Sequence, residues 1–178
     1  MAKTNKTKFV ILGFLLDGSR SGYEIGQIIK KSTNNFWQES DASIYPALKL
    51  LAKEKMVSSE TAYVGKRRKE VFTITKAGKK AFMEWYKKPP EQDMHREEFL
   101  LKLFFATETT KEEMDCHCEQ KLKELKETQE KYKQIEKFLK KELPKKTYWL
   151  KTLQVGLAHL EVDIHWLQQQ RETNAKHH

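Results

Sequence analysis

The stretch DASIYPALKLLAKEKMV, residues 41–57, decides how the first half of the chain is interpreted. Its apolar residues recur at three- and four-residue spacing, which predicts a helix with one buried face made by Ile44, Ala47, Leu48, Leu51 and Ala52. With Ser43 as N-cap, Pro46 stands at the third helical position, where a missing N–H costs no helical hydrogen bond. The opposite side of the helix has nothing to bury and carries Tyr45, Lys49 and Lys53.

The residues before this helix predict two more helices. Residues 8–16, KFVILGFLL, are apolar on nearly every side, which is typical of a short buried helix. Ser21 can cap a second helix, GYEIGQIIKKS, whose three isoleucines fall on one face. We expect Asn34 and Asn35 to end that helix.

After Met56 the apolar spacing changes from helical to alternating. The segments VSSETAYV and EVFTIT predict two strands around a glycine-containing turn. Four consecutive bases lie at or beside the tip of this hairpin, namely Lys66, Arg67, Arg68 and Lys69. Thr75 can cap a fourth helix, which stops at Pro89 and Pro90. Three helices, a basic hairpin and a closing helix predict a winged helix-turn-helix domain over residues 1–90.

The remaining residues, 91–178, predict a second domain that contains only helices. The segment HREEFLLKLFFA predicts a short apolar helix, and the signature from Thr110 to Glu113 predicts a capping box that opens a long helix. That helix should end near Leu143, before Pro144, and a final helix should follow from about Thr147 to Arg171. The expected fold is therefore mainly α with a small β-hairpin, and its C-terminal half consists of long antiparallel helices.

The net charge of +9 is distributed unevenly along the chain. Residues 1–90 hold 18 Lys and Arg against 8 Asp and Glu, whereas residues 91–178 hold 16 against 17. Nearly all the excess positive charge therefore belongs to the first domain. This segregation favours a basic module that binds a polyanion, and a basic face kept for solubility is the competing interpretation.

Several classes of protein are disfavoured by what the sequence contains. No apolar run approaches the roughly 18 residues that span a bilayer, so we expect no membrane partner. The two cysteines, Cys116 and Cys118, point about 200° apart on a helix, which argues against a shared metal and suits inert thiols in the cytoplasm. His177 and His178 are interpreted as a tail. No enzyme motif or cofactor-binding pattern is present, so we expect neither catalysis nor a cofactor.

The exposed side of the third helix favours DNA binding. A helix that follows another after a short turn and presents hydroxyl and ammonium groups has the geometry of a recognition helix in the major groove. Its candidate contacts to bases or phosphates are Ser43, Tyr45, Lys49 and Lys53. Ser21 and Tyr23 begin the second helix, where free N–H groups suit a phosphate, and the four hairpin bases suit flanking phosphates or the minor groove.

Five segments resemble the PadR family of bacterial transcriptional regulators: ILGFLLDGSRSGYEI, SIYPALKLLAKEKMV, GKRRKEVFTIT, KAGKKAFMEW and REEFLLKLFFA. The resemblance covers the winged helix almost completely and continues more loosely through the C-terminal helices, as in the larger subfamily with a multi-helix C-terminal domain. It implies a cytoplasmic homodimer, usually a repressor, on a near-palindromic DNA operator, with dimerisation mainly through the C-terminal helices.

The resemblance also implies which residues contact DNA, whereas the residues expected in the dimer interface come from the apolar spacing of the two long helices. The implied DNA-contacting set is Ser21, Gly22, Tyr23, Ser43, Tyr45, Pro46, Lys49, Lys66, Arg67 and Arg68. The expected dimer interface lies on the two long helices and comprises Leu122, Leu125, Trp149, Leu153, Gly156, Leu157, Leu160, Ile164 and Leu167.

Some members of this family release DNA when a small, often aromatic, compound binds. The aromatic and histidine residues that could line such an effector pocket are Phe104, Phe105, Tyr148, Trp149, His159, His165 and Trp166. Core and dimer packing is the competing interpretation for these residues. A second functional hypothesis is a winged-helix protein-interaction module with a helical oligomerisation arm and no sequence-specific DNA binding.

Overall fold

The computed structural model describes residues 6–33, 36–37, 39–64, 67–91, 96–142 and 147–176. These residues form two compact units, Met1–Gln92 and Asp93–His178. Each unit is built around its own apolar cluster. Asn34, Asn35, Lys66, Leu143, Pro144, His177 and His178 lie outside the described residues, and so do the helix ends predicted at the asparagines and at Pro144.

The N-terminal unit is a winged helix, as the sequence predicts. Its elements in chain order are α1 (Thr7–Leu15), β1 (Arg20–Ser21), α2 (Gly22–Lys31), α3 (Asp41–Lys53), β2 (Val57–Val64), β3 (Arg67–Ile74) and α4 (Lys76–Tyr86). The sheet is antiparallel in the order β1-β3-β2. The predicted hairpin is therefore confirmed, but it belongs to a three-stranded sheet. Strand β1 was missed because two residues are too few to show alternation.

The core of this unit is made by the three helices predicted from apolar spacing. The large side chains that are completely buried are Ile11, Leu12, Leu15, Ile25, Ile29, Ile44, Leu48 and Leu51. Residues of the sheet close one side of the cluster, and α4 closes another. The ring of Trp85 on α4 stacks on that of Phe9, with their centroids 4.7 Å apart. The predicted buried stripe of α3 is thus confirmed, with Ala52 half-buried at its end.

The start of α3 differs from the prediction. The helix begins at Asp41 with Ser40 at the N-cap, so Pro46 is its sixth residue and not its third. The amides of Ser43 and Ile44 both donate to the Ser40 carbonyl, at 2.9 and 3.1 Å, which places the first turn three residues earlier than expected. Because proline has no N–H, it cannot donate to the carbonyl four residues before it, and α3 lacks that bond in its second turn.

The end of α3 is fixed by a residue in the left-handed conformation. The amide of Met56 donates to the Leu51 carbonyl (2.9 Å) and that of Lys55 to the Ala52 carbonyl (3.0 Å), the two bonds of a Schellman motif. Lys55 has a φ of 57°, at a position where glycine is usual. The motif turns the chain directly into β2, which fixes the direction in which the wing leaves α3.

The C-terminal unit is helical, as expected. It contains α5 (Glu98–Phe104), a short 3-10 helix (Glu108–Thr110), α6 (Lys111–Glu142) and α7 (Thr147–Lys176). The capping box lies one turn earlier than predicted, because the Thr107 amide donates to the Thr110 hydroxyl at 2.9 Å. Among the residues that the structure describes, no helix combines the length and apolar character that crossing a bilayer requires.

Helices α6 and α7 pack against each other in opposite directions. Gln154 donates to Glu136 at 3.5 Å, and further along Leu122 packs with Leu160, Ile164 and Leu167. A Cβ at Gly156 would lie 2.9 Å from the ring of Tyr132, so this glycine allows the close approach of the two helices. The predicted antiparallel arrangement of the long helices is confirmed.

Candidate nucleic-acid interface

Two glycines of α2 bring α3 against it. A Cβ at Gly22 would lie 2.8 Å from the Tyr45 ring, and one at Gly26 would lie 3.0 Å from the Asp41 carboxylate. Gly22 and Gly26 are one helical turn apart, so they form a shallow strip on which the first half of α3 rests. Gly22, expected among the DNA contacts, is buried and seats the Tyr45 ring. The pair was visible in the sequence as two glycines four residues apart within an apolar helical pattern.

The outward side of α3 carries the residues expected there. Tyr45, Pro46, Lys49 and Lys53 are all exposed. Tyr45, Lys49 and Lys53 are spaced by four residues, so they form a row about 12 Å long on one side of the helix. Ser43 is half-buried, and its hydroxyl donates to the Glu39 carboxylate (2.7 Å) or to the Ser40 carbonyl (2.8 Å). Tyr45, Pro46, Lys49 and Lys53 are therefore the accessible part of the predicted recognition surface.

The start of α2 is occupied by the chain's own groups. The Ser21 side chain is 5% exposed, and it accepts a hydrogen bond from the Glu24 amide at 3.3 Å. The Glu24 carboxylate in turn accepts from the Ser21 amide at 2.9 Å, which completes a capping box. The geometry gives Ser21 a capping role, because its hydroxyl and amide are not free for a phosphate. Tyr23, in the same turn, is 67% exposed.

A wing lysine reaches this capping box. Lys69 of β3 donates to the Glu24 carboxylate at 2.7 Å, although the two residues are 45 positions apart. The hydrogen bond from Lys69, followed by those from Ser21, lowers the pKa of Glu24 to about 2. Lys69 was expected with the other wing bases as a DNA contact, and here it is paired within the chain.

The described part of the wing presents Arg68 to solvent. Arg68 is exposed and donates to the Thr61 hydroxyl at 3.4 Å across the hairpin. Its directly opposite neighbour is Tyr63, which is 70% exposed and was not among the predicted contacts. Arg67 is the first residue of β3, and its side chain is not among those that the structure describes. Tyr63 could have been found from the alternation of β2, which places it beside the basic run.

An acidic residue beside α3 was also missed. Glu39 accepts hydrogen bonds from the Trp37 indole at 2.9 Å and from the Ser43 hydroxyl at 2.7 Å. A carboxylate before the first turn stabilises a helix through its dipole, so Glu39 supports the start of α3. Its carboxylate also lies near the end of α3 where base contacts are expected, whereas the two lysines of α3, Lys49 and Lys53, lie in the second half of the helix.

The predicted effector residues are not gathered in one place. Phe104 and Phe105 are 79% and 68% exposed and form an edge-to-face pair with centroids 5.1 Å apart. Trp149 and Trp166 belong to the same helix, roughly 25 Å apart along its axis, so one small ligand cannot contact both within a single chain. The pockets described in this unit lie around Leu122 and Arg171 and include none of the seven predicted residues.

Part of the predicted dimer interface is used within the chain. Leu122, Leu160, Ile164 and Leu167 are buried in the contact between α6 and α7, and Gly156 lies against Tyr132. Leu125, Leu153 and Leu157 are half-buried, and Trp149 is 39% exposed. Sequence periodicity finds apolar faces but does not say whether the partner is another helix of the same chain, which is why these residues were assigned to a second copy.

The two thiols lie on α6. Cys116 is exposed and Cys118 is partly buried, and neither forms a disulfide. Burial, followed by the nearby charge of Asp115, raises the pKa of the Cys118 thiol, which disfavours the reactive thiolate. Among the residues covered by the description, no group of three or more His, Cys, Asp or Glu side chains is placed to hold a metal.

Two family models match the chain, one for each unit. Residues 11–84 match the Transcriptional regulator PadR-like family, and residues 95–173 match the family described as Virulence activator alpha C-term. The Negative transcriptional regulator PadR of Bacillus subtilis (strain 168) is 33% identical over 108 residues, which are 60% of this chain and 59% of that protein. The sequence match thus spans about three fifths of that regulator's length.

Solved structures resemble the whole chain. The crystal structure of Bacillus subtilis PadR in complex with operator DNA has a TM-score of 0.85 and 26% identity, over 94% of this chain and 96% of that one. Bacillus subtilis PadR in complex with p-coumaric acid has a TM-score of 0.76 and 24% identity, over 95% and 96% of the two chains. Both the winged helix and the helical C-terminal unit are therefore found in these relatives.

Proposed function

Because the chain belongs to the PadR family of transcriptional regulators, we propose that it is a cytoplasmic homodimeric repressor of a near-palindromic operator. The observation that carries the proposal is the exposed row of Tyr45, Lys49 and Lys53 on a helix held against α2 by two glycines. This is the geometry of a helix-turn-helix, whose second helix enters the major groove. The net charge of residues 1–90, with 18 bases against 8 acids, supports a polyanionic partner.

In the proposed complex the row on α3 reads the operator. The Tyr45 hydroxyl and the Lys49 ammonium donate hydrogen bonds to base edges or to nearby phosphates. Lys53, one turn further along, contacts the backbone. Because Tyr45 rests on Gly22, its ring reaches the groove in a fixed direction, which is what selective contacts require.

The wing would contact the DNA beside the recognition helix. Arg68 is exposed at the described end of the hairpin, and Lys66 and Arg67 precede it in the sequence. Tyr63 lies directly opposite Arg68 and provides a flat apolar surface with a hydroxyl at its edge. We propose that these residues contact flanking phosphates or the walls of the minor groove, where arginine is favoured.

The proposed dimer is supported by the exposed apolar side chains of the C-terminal unit. Helix α5 leaves Leu100, Leu101 and Phe104 more than half exposed, and on α7 Tyr148, Val155 and Val162 recur every seven residues on an exposed face. A seven-residue apolar repeat is the pattern with which one helix packs along another. A second copy of the chain would cover these side chains and set two recognition helices about 34–36 Å apart, one helical turn of DNA.

The proposed effector is a small aromatic acid bound by the C-terminal unit. Support comes from the relative crystallised with p-coumaric acid and from the exposed aromatic residues of α5 and α7. If Phe104, Phe105, Trp149 and Trp166 line a site, both copies of the dimer contribute to it. An effector that binds more tightly to dimers whose recognition helices do not fit the operator spacing would shift the population toward those dimers, and the DNA would be released.

The proposal is tested by an electrophoretic mobility shift with DNA from just upstream of the chain's own gene. Wild type should give a discrete complex that survives excess competitor and weakens with salt. Tyr45→Ala or Lys49→Ala should weaken this complex by about fivefold or more, since a good base contact contributes about 1–3 kcal/mol. Lys80→Ala on α4 is the matched control and should bind as wild type. If the variants and the control bind alike, α3 is not the recognition helix.

A further inference from the structure

The ion pair between the wing and α2 has a consequence for DNA binding. The Glu24 carboxylate accepts hydrogen bonds from the Lys69 ammonium (2.7 Å), the Ser21 amide (2.9 Å) and the Ser21 hydroxyl (3.0 Å). Three donors therefore converge on one carboxylate at the start of a helix. A carboxylate in this position is further stabilised by the helix dipole, so it stays charged and in place.

Lys69 is thereby separated from the other bases of the wing. Its side chain is 30% exposed and is drawn toward α2, whereas Arg68, the preceding residue, remains exposed to solvent. A lysine that binds a carboxylate at 2.7 Å has its charge neutralised within the protein. To bind a DNA phosphate it would first have to leave Glu24, which the two bonds from Ser21 hold in place.

We propose that Glu24 withholds Lys69 from the DNA backbone and so limits the sequence-independent affinity of the protein. This inference rests on the proposed DNA-binding function. Sequence-independent affinity comes almost entirely from the number of phosphates that Lys and Arg neutralise. If one lysine is withheld, one phosphate fewer is neutralised, and the affinity for every DNA sequence falls. A larger share of the binding free energy then comes from the base contacts of α3.

The charge of Glu24 persists at every pH at which binding would be measured, because its pKa is lowered to about 2. Glu24→Gln is a mild variant, since glutamine also completes a capping box at this position. It removes the charge that holds Lys69 while keeping the helix start. Glu70→Gln is the matched control. Glu70 is exposed in the same strand, next to Lys69, and the described residues offer it no ion pair.

The experiment measures the binding of the full chain to a labelled duplex of mixed sequence, about three helical turns long, by fluorescence anisotropy over a series of salt concentrations. Glu24→Gln should bind more tightly, and the slope of log affinity against log salt should steepen by about 0.9, the value for one additional phosphate. A slope steeper by about 0.9 raises the affinity of Glu24→Gln relative to wild type by about threefold for each fourfold reduction in salt concentration.

The double variant Glu24→Gln/Lys69→Gln should return to the wild-type slope, and Glu70→Gln should not steepen it. If Glu24→Gln and Glu70→Gln change the slope equally, or if the double variant keeps the steeper slope, the inference is wrong although the protein binds DNA. If wild type binds neither this duplex at low salt nor its own upstream DNA, the proposed function fails and the inference fails with it. Thermal unfolding of each variant confirms that it is folded.

Discussion

The two units of the chain bury their apolar residues to very different extents. In the N-terminal unit, side chains from α1, α2 and α3 are completely buried, and the sheet and α4 close the cluster. In the C-terminal unit the buried cluster consists of Leu122, Leu160, Ile164 and Leu167. The same unit leaves a larger group of apolar side chains more than half exposed: Leu100, Leu101, Phe104, Phe105, Phe138, Tyr148, Val155 and Val162.

This difference supports the proposal that a second protein chain binds the C-terminal unit. Burial of apolar surface is the main favourable contribution to folding, and a helical surface with many exposed aromatic and aliphatic side chains marks an interaction site. The N-terminal unit buries its large aliphatic side chains in one cluster, and the large apolar residues that it leaves more than half exposed are mostly tyrosines: Tyr23, Phe36, Tyr63 and Tyr86. The sequence of this unit also carries nearly all the excess positive charge. The C-terminal unit leaves an apolar surface, which suits a second protein chain and not DNA.

The largest effect is expected in the core of the N-terminal unit. Leu48→Ala should lower the free energy of unfolding by about 2–5 kcal/mol, because it creates a cavity among completely buried side chains. Leu50→Ala, on the same helix but at a position 47% exposed, should cost less than about 1 kcal/mol. Unfolding in urea, monitored by hydrogen exchange of the backbone amides of α1, α2 and α3, measures the stability of this unit separately. Equal costs at the two positions would contradict the contrast between core and surface.

The exposed apolar residues of the C-terminal unit should affect association more than folding. Val155→Ser/Val162→Ser should raise the dissociation constant of the proposed dimer by about tenfold or more, since both valines would lose apolar partners across the proposed interface. Lys123→Ser, an exposed change on α6, is the control and should leave it unchanged. Sedimentation velocity over a concentration series measures both. A double variant that dimerises like the control would place the interface elsewhere.

A smaller effect is expected at the end of α3. Lys55→Gly should raise the free energy of unfolding by about 1 kcal/mol, because glycine adopts the left-handed conformation without the steric cost that lysine pays at a φ of 57°. Thermal unfolding is a sufficient measurement. Lys53→Gly, at the last residue of α3, should lower the free energy of unfolding, since glycine is less favourable than lysine in a helical conformation. A loss of stability in Lys55→Gly would show that lysine makes a compensating contact there.

The smallest expected effect is the change with pH in the contribution of Glu24 to the free energy of unfolding. Its pKa is about 2 in the folded chain and 4.5 without these contacts, so its stabilising contribution is present above pH 4.5 and is lost as the pH falls toward 2. The side chain is 44% exposed, so solvent screening makes the contribution modest. Wild type should therefore be more stable than Glu24→Gln near neutral pH, and the difference should shrink in acid. A difference that is constant from pH 6 down to about 2 would contradict this assignment.

The sequence was most informative wherever one periodic pattern spans a whole element. The stripe from Ile44 to Ala52 predicted the buried face of α3, and the change to alternation after Met56 predicted the hairpin. The start of α3 was placed three residues late because both Ser40 and Ser43 are good caps and Pro46 suits a first turn. Local residue preferences cannot choose between two such starts, since the choice depends on how α3 packs against Gly22 and Gly26.

Contacts between residues that are far apart in the sequence could not be predicted from local sequence patterns. Lys69 looked the same as its three basic neighbours, and only the fold brings it 2.7 Å from Glu24. Apolar spacing placed Leu160 and Ile164 in an expected dimer interface, and in the structure they pack against α6 of the same chain, while Val155 and Val162 are exposed. Periodicity defines a face of a helix but carries no information about which molecule covers it.

The most direct test of the account is the mass of the complex formed on the shortest upstream duplex that gives a discrete mobility shift. We expect a complex of one duplex with two chains, each of 21.1 kDa, at every protein concentration that gives the shift. We also expect Lys49→Ala to form this complex more weakly than wild type, while the free protein keeps the mass of a dimer. A single chain bound per duplex, or a stable dimer that forms no discrete complex on any upstream duplex, would contradict it.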